Sequence, residues 1–472
     1  MTMKRFELNP RVSIFRHKGG IYLFDPYSRS CASMSEEMLG VLEQLQNSSD
    51  FLADFNLVSE GMTNVVAHLR KYGILIDPED VRMKEWPGKS LRKASMNRLV
   101  IFVTTNCNLR CIYCYAHGGE NHKTIGSNVW KLAMKHFFET FDDDRKRKDG
   151  VNTKVSLTLH GGGEATLEFA MLKEIVADFL AQAKTLGLNP SITIGTNGTY
   201  SDTVHDWIVI NNIQVTISLD GKREIQNYQR PFYLGTQSFD IVTDNLRALV
   251  AVGSSVAIRT TVTAASVGSM QETVELAREL GITSLHFEPV TLIGRGSLKG
   301  LSRPDPDQFA DMFLKCFLKG LEYDIHVKYS GLHCFSHCRQ SFCSACGQNF
   351  CVTPEGNITT CYEVLEAEDP AASTFFIGKV DTEANRVEWD YAQIEALSQR
   401  TAYNMDACKD CFLRYQCAGD CPVKGFRYSG ENLYTPDTFR CKIAELVNKQ
   451  LIAWLADDVI KPCDLEGVDI FS

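Results

Sequence analysis

The chain has 472 residues, 44% hydrophobic and 23% charged, with a formal net charge of −9. That length exceeds one ordinary domain, and the composition excludes intrinsic disorder, collagen-like repeats and coiled coil. The acidic balance disfavours a nucleic-acid binder, no apolar run reaches membrane-span length, and the start, MTMKRFELNPRV, has no secretory h-region; the expectation is a cytoplasmic protein without nucleic-acid or membrane partners.

Residues 1–90 carry no cysteine cluster. RVSIFRHKGGIYLFDP reads as two strands around a Gly19-Gly20 turn. SMSEEMLGVLEQLQ follows as a helix capped by Ser35, and SEGMTNVVAHLRKYGILI as a capped helix, a stop at Gly73 and a short strand. The pattern is winged-helix-like. The stretch 78–95 is polar, charged and holds two prolines, as a linker would.

Residues 97–300 alternate strand and helix. The strand candidates are 98–104, 154–160, 191–196, 213–219, 256–263 and 283–289, with helical stretches between them. Gly187, Gly253 and Gly281 stand where helices should stop. The fold class expected is α/β, a partial (β/α)6 TIM-like barrel; a closed barrel would need eight strands, and an open doubly wound sheet is the alternative. Residues 301–340 read as a bridging segment, 341–450 as a cysteine-rich C-terminal domain and 451–472 as a tail, with a helix running through CKIAELVNKQLIAWLADDVI.

The chain has 17 cysteines, clustered rather than dispersed. In a reducing compartment that pattern indicates metal or iron–sulfur ligands rather than disulfides. Directly after the first barrel strand, TTNCNLRCIYCYAHGG places Cys107, Cys111 and Cys114 at C-x3-C-x2-C spacing. Three thiolates on one short loop can hold three irons of a cubane cluster and leave the fourth to a small chelating molecule. The alternative is a Cys3His zinc knuckle completed by His117.

The loop resembles the radical S-adenosylmethionine (radical SAM) superfamily, with Tyr113 as the aromatic residue before the last cysteine. Gly162-Gly163-Glu164 resembles that family's GGE motif, which implies contact with the methionine amino group; Ala165 stands where proline commonly follows. Ser218 in SLDG and Arg230 in QNYQRPF match family positions that contact the cofactor, and Asn197 in TNGT matches a strand-end segment. Independently of the resemblance, Glu164, Asn197, Ser218, Thr263 and Glu288 all fall at strand C-termini, which face one mouth in a βα barrel. Ser218 read alone is a core hydroxyl, and Glu288 read alone is a buried ion-pair member.

Cys408, Cys411, Cys417 and Cys421 form C-x2-C-x5-C-x3-C, with Cys361 upstream and Cys441 downstream. This order resembles the SPASM extension of radical SAM enzymes. The resemblance implies two auxiliary 4Fe–4S clusters, one on Cys408, Cys411, Cys417 and Cys441, the other on Cys361 and Cys421 with further ligands. Among Cys334, Cys338, Cys343, Cys346 and Cys351, the distances to Cys361 favour Cys343 and Cys346. Cys31, Cys316 and Cys463 are expected to be ordinary buried thiols. A zinc ribbon is the alternative for the region.

The resemblance implies S-adenosylmethionine and three 4Fe–4S clusters as cofactors, and a 5′-deoxyadenosyl radical that abstracts unactivated hydrogen. It implies a precursor-peptide substrate held by the N-terminal domain, a reducing flavodoxin or ferredoxin, and installation of a side-chain crosslink in the manner of maturases of ribosomally made peptides. The competing activities are peptide epimerisation and conversion of Cys or Ser to formylglycine; against the latter, Tyr362 rather than an aspartate follows Cys361. A non-catalytic iron–sulfur or zinc scaffold is the alternative outside enzymes.

Overall fold

The structure, a computed structural model, describes residues 7–9, 11–26, 30–47, 67, 69–71, 73–76, 96–147, 153–298, 300–332 and 338–465. The expected linker at 78–95 and Cys334 lie outside those residues.

Strands β1 (Glu7–Leu8), β2 (Ser13–His17), β3 (Gly20–Asp25) and β4 (Ser30–Met34) open the chain, followed by helix α1 (Glu36–Asn47) and strand β5 (Leu75–Ile76). β2, β3 and β4 form an antiparallel meander, and β1 pairs with β5. The first turn is Lys18-Gly19, both with positive φ (46° and 83°), while Gly20 already belongs to β3. Two left-handed residues match the twist of the flanking strands, so the turn sits one residue earlier than expected. The Ser35 hydroxyl accepts from Met38 N at 3.2 Å, as an N-cap should.

The barrel strands are β6 (Arg98–Phe102), β7 (Lys154–His160), β8 (Asn189–Thr196), β9 (Gln214–Ser218), β10 (Val256–Val262), β11 (Ser284–Pro289) and β12 (His326–Lys328). Helices α2 (Ser127–Arg147), α3 (Phe169–Thr185), α4 (Asp202–Ile210), α5 (Arg223–Gln229), α6 (Phe239–Ala251), α7 (Met270–Glu279) and α8 (Pro306–Glu322) connect them. Neighbours from β6 to β12 are parallel and in sequence order, with helical crossovers. The stretch expected to bridge at 301–340 therefore supplies a helix and a seventh parallel strand. Asp305 caps α8 by accepting from Asp307 N and Gln308 N at 3.0 Å, with Pro306 opening the helix. Gly187, Gly253 and Gly281 take φ of 63°, 73° and 71° just past α3, α6 and α7.

The other edge is extended from a distance in sequence. β13 (Phe350–Val352) pairs parallel with β6, and β14 (Asn357–Thr359), β15 (Phe376–Asp381) and β16 (Arg386–Trp389) continue antiparallel, giving an 11-stranded sheet. Val155, Leu157 and Leu159 of β7 are buried in the main core, whereas Thr158 and His160 line a cavity on the opposite face. Residues of β8, β9, β10 and β11 line that same cavity, alternate ones in β9 and β10. Adjacent strands lie about 4.8 Å apart, so a flat sheet could not bring five of them to one cavity. The sheet curls into a part-barrel around it.

Helices α9 (Tyr391–Ser398), α10 (Pro422–Tyr428) and α11 (Thr438–Ala456) complete the C-terminal part. α11 continues into the residues expected as a tail. It also packs against the N-terminal sheet: His17 meets Gln450 at 2.9 Å, and Tyr22 donates to Asp457, just past the helix, at 2.9 Å; Phe412, ahead of the helix, adds a ring 5.4 Å from that of Phe15.

Candidate functional site

The loop after β6 is pinned on three sides. Ile112 N donates to Gln229 O at 2.9 Å and Arg110 N to Pro231 O at 2.8 Å. The Arg110 guanidinium binds Cys107 O and Gly119 O, both at 2.7 Å, and Arg295 binds Cys111 O at 3.0 Å. Gly163 N donates to Thr104 O at 3.0 Å and Glu164 N to Asn106 O at 2.7 Å, tying the GGE loop to the residues before Cys107. These bonds turn Cys107, Cys111 and Cys114 onto one wall of a cavity of about 350 Å³. His117 is not on that wall; its ring meets Glu120 at 3.2 Å on the exposed side, so it does not complete a Cys3His set.

Burial pushes the Cys107 thiol up to about 11 and the Cys111 thiol up to about 12. Such thiols ionise on meeting a metal or cluster, which supplies the compensating positive charge. Asn197 Nδ2 lies 3.8 Å from Cys107 Sγ, and Arg230 Nη1 lies 3.9 Å from Cys111 Sγ. Arg230 is paired with the buried Asp220 at 3.0 Å, and its guanidinium sits 5.2 Å from the Tyr113 ring centre. The Tyr113 hydroxyl donates to Asp220, which also accepts from Gln229 at 2.8 Å and Thr261 N at 2.9 Å. Asp220 thus organises the Arg230 side; its signal was its place in SLDG beside Ser218.

Glu164 accepts from Thr166 N (3.1 Å), Thr166 Oγ1 (2.6 Å), Thr196 Oγ1 (2.8 Å) and Asn197 N (2.6 Å). Burial raises its pKa against those donors. Gly163, Glu164, Asn197, Ser218 and Arg230 all line the three-cysteine cavity. Thr263 does not; it is buried and donates to Gln229 at 2.9 Å.

A second cavity of about 270 Å³ adjoins the first and is lined by Cys343, Cys361 and Cys421. Burial is the first cause that pushes these thiols up; the charges of Cys346 and then Cys421 add to it at Cys343, those of Glu363 and then Cys421 at Cys361, while at Cys421 Lys424 opposes it and Glu363 adds to it. Arg400 offsets part of the burial at Cys346 while donating to Gly419 O at 2.6 Å and Asp420 O at 2.9 Å. Cys351 is buried within β13, and Cys338 approaches Pro26 O at 3.3 Å. A separate group gathers Cys408, Cys411, Cys417 and Cys441, where burial and mutual repulsion raise Cys417 and Cys441. Among the described residues, no three His, Cys, Asp or Glu side chains converge tightly enough for a single metal ion. Clustered cysteine thiols are the donor set that iron–sulfur clusters take. Of the three expected buried thiols, only Cys316 is buried; Cys31 is half-buried and Cys463 exposed, because Cys463 sits in a surface turn past α11.

The carboxylate of Glu288 lies in the floor between the cavities. It accepts from Lys424 Nζ at 2.8 Å, Arg440 Nη1 at 2.8 Å and Ser330 Oγ at 2.9 Å, and meets His286 at 3.1 Å. Lys424 and Arg440 hold its pKa well below the usual carboxylate range against burial. Glu288 is therefore both an ion-pair member and a cavity residue, and its cationic partners carried no motif in the sequence.

A curled parallel sheet thus carries a cysteine tripod at the C-terminal end of its first strand. Residues 101–280 match the radical SAM superfamily, and the chain carries a radical SAM domain there. An uncharacterised protein of Methanocaldococcus jannaschii is 28% identical over 194 residues, 41% of this chain and 62% of that relative. The cysteine-type anaerobic sulfatase-maturating enzyme of Clostridium novyi is 24% identical over 310 residues, 61% of this chain and 80% of that one. Among solved structures, native anSMEcpe with bound AdoMet shares the fold at a TM-score of 0.58 and 19% identity, over 76% of this chain and 99% of its own. Streptococcus suis SuiB bound to precursor peptide SuiA matches at a TM-score of 0.51 and 15% identity, over 92% of this chain and 99% of its own. No described helix is long and apolar enough to cross a membrane.

Proposed function

We propose that this chain is a radical SAM peptide maturase that takes hydrogen from a residue of a precursor peptide and installs a side-chain crosslink. The observation that carries the reading is the cysteine tripod on a cavity wall, with Asn197 and Arg230 reaching two of its thiols. Its cofactors are S-adenosylmethionine and 4Fe–4S clusters. Cys107, Cys111 and Cys114 would hold the first cluster. Cys343, Cys346, Cys361 and Cys421 would hold one auxiliary cluster, and Cys408, Cys411, Cys417 and Cys441 the other. When bound, the first cluster and S-adenosylmethionine supply hydrogen-atom abstraction from an unactivated carbon.

The chain's own residues bind and orient. Arg230, anchored by Asp220, presents a guanidinium to a carboxylate. Gly163 and the GGE backbone lie against the cysteine loop, with Glu164 fixing their geometry through its four donors. Tyr113 and Ser218 shape the wall. Residues 1–90 would hold the peptide, residues 97–300 form the radical SAM part and residues 341–450 a SPASM domain, with a flavodoxin or ferredoxin as reductant in the cytoplasm. The SuiB structure bound to precursor peptide SuiA supports a peptide substrate.

A second reading, formylglycine formation in a sulfatase, is supported by the C. novyi relative and by Glu363. Although tyrosine follows Cys361, Glu363 lines both cavities, and its Oε2 is buried without a hydrogen-bond partner among the described residues.

The test is anaerobic reconstitution, reduction and incubation with S-adenosylmethionine and a candidate peptide. The peptide should lose one hydrogen pair in mass, and 5′-deoxyadenosine should accumulate. An unchanged mass with inverted stereochemistry means epimerisation, and an aldehyde at Cys or Ser supports the second reading. Replacing Cys107, Cys111 and Cys114 by Ala should abolish 5′-deoxyadenosine release while leaving auxiliary iron bound; continued release would sink the proposal.

A further inference from the structure

The two cavities share Tyr115, His160, Arg259, Glu288, Tyr362, Glu363 and Lys424 in their walls. Five of these have contacts that account for them. His160 stacks on Tyr362 at 5.0 Å, and Lys424 bridges Glu288 at 2.8 Å and Glu363 at 3.6 Å. Arg259 has no such contact. It lies in β10, opposite Ser218 of β9 and His286 of β11, and is exposed into the cavities. Among the described residues, no hydrogen bond, ion pair or ring contact reaches its guanidinium.

Three other cations in this region are matched by carboxylates. Arg230 is on Asp220 at 3.0 Å, Arg295 on Glu120 at 2.7 Å, and Arg440 on Asp420 and Glu288, both at 2.8 Å. Glu288 cannot also serve Arg259, because Lys424, Arg440, Ser330 and His286 already occupy its oxygens. The neighbouring histidines bring no negative charge: burial, then the charge of Arg259 itself, pushes His160 and His286 down to about 4. Glu363, the other carboxylate on the shared wall, is held by Lys424 at 3.6 Å and forms no ion pair with Arg259 among the described residues. A guanidinium left without a carboxylate partner in a cavity is a site for one, and its planar fork suits it.

Two sources of carboxylate could enter: S-adenosylmethionine and the substrate. Arg230 already stands 3.9 Å from Cys111 at the tripod, whereas Arg259 is on the wall common to both cysteine groups. A substrate lying between the tripod and Cys361 would pass it. We propose that Arg259 receives the side-chain carboxylate of an Asp or Glu close to the modified residue, so that the substrate is an acidic peptide segment. This rests on the maturase reading and adds the substrate's chemistry to it.

The test is labelling of the reconstituted full-length protein with phenylglyoxal, an arginine reagent, with the modified sites mapped by mass spectrometry. The probes are N-acetyl-glutamate amide, N-acetyl-glutamine amide and S-adenosylmethionine, each present separately. Arg259 should be modified readily without a probe. The glutamate probe should slow that modification roughly tenfold at about ten times its dissociation constant, because only the unoccupied fraction reacts. The glutamine probe and S-adenosylmethionine should leave the rate unchanged. Protection by S-adenosylmethionine would reassign Arg259 to the cofactor and overturn the proposal. Equal protection by both peptide analogues, protection by none, or an Arg259 that resists the reagent throughout would overturn it as well. Since the readout is labelling rather than turnover, its failure is distinct from failure of the maturase reading, which the peptide's mass change decides.

Discussion

Gly163→Ala tests whether the GGE loop sets the position of the cysteine tripod. A Cβ at this position would lie 2.0 Å from Asn106 O and 2.6 Å from Thr105 C, both backbone atoms that cannot rotate away. Real Cβ contacts essentially never fall under 3.0 Å, so the two loops must part by 3.0 − 2.0, or 1.0 Å. Asn106 immediately precedes Cys107, and the Glu164 N to Asn106 O bond of 2.7 Å is strained by the same shift. A misplacement of about 1 Å at a reacting centre costs about a hundredfold in rate, the loss expected in reductive release of 5′-deoxyadenosine. The assay follows that release anaerobically, alongside bound iron and the thermal midpoint. Gly268→Ala is the control: its Cβ meets nothing within 4 Å and its φ is not left-handed, so rate and stability should match the parent. A Gly163→Ala protein that turns over like the parent would refute the claim that this contact registers the loops.

Glu288→Gln should destabilise the protein by about 3 kcal/mol, the cost of leaving buried cations underpaired, read as a lower urea midpoint. The loss stays at that lower end because Arg440 keeps Asp420 at 2.8 Å and Lys424 keeps Glu363 at 3.6 Å. Adding Lys424→Met should recover part of it; no recovery would mean the pair is not the cause. His286 sets a pH dependence. Burial and then the charge of Arg259 hold it down to about 4, whereas the unfolded chain's histidine titrates near about 6.5. The unfolded state therefore binds more protons between those values, so stability falls as pH drops from about 6.5 towards about 4, by at most about 1.4 kcal/mol per pH unit. His286→Asn should flatten that slope in thermal midpoints measured across the window; an unchanged slope would assign it elsewhere.

Much of the site was legible because it is local. The tripod, the GGE loop and the strand ends carrying Asn197, Ser218 and Arg230 are each marked within a few residues, and the parallel sheet brings their positions to one mouth. The auxiliary ligands show where this stops. Spacing ranked Cys338 and Cys351 below Cys343 and Cys346 without saying where any of them lies; the pairing of β13 with β6 buries Cys351 in the sheet, and Cys338 faces Pro26. Tyr362 after Cys361 counts against formylglycine formation in the sequence, but the chain there also turns the next residue, Glu363, onto the cavity wall.

What the sequence by itself determined is the alternation of apolar strands and capped helices and the spacing of its thiols, since both follow from neighbours along the chain. Only the tertiary structure decided that β13 joins the barrel edge, that Asp220 anchors Arg230, that Lys424 and Arg440 converge on Glu288, and that Arg259 has no partner among the described residues. Those are meetings between segments up to 251 residues apart (Phe350 pairs with Leu99), and strand register and helix packing choose them. The charge that a cavity lacks is a property of the assembled wall, and no single stretch of chain carries it.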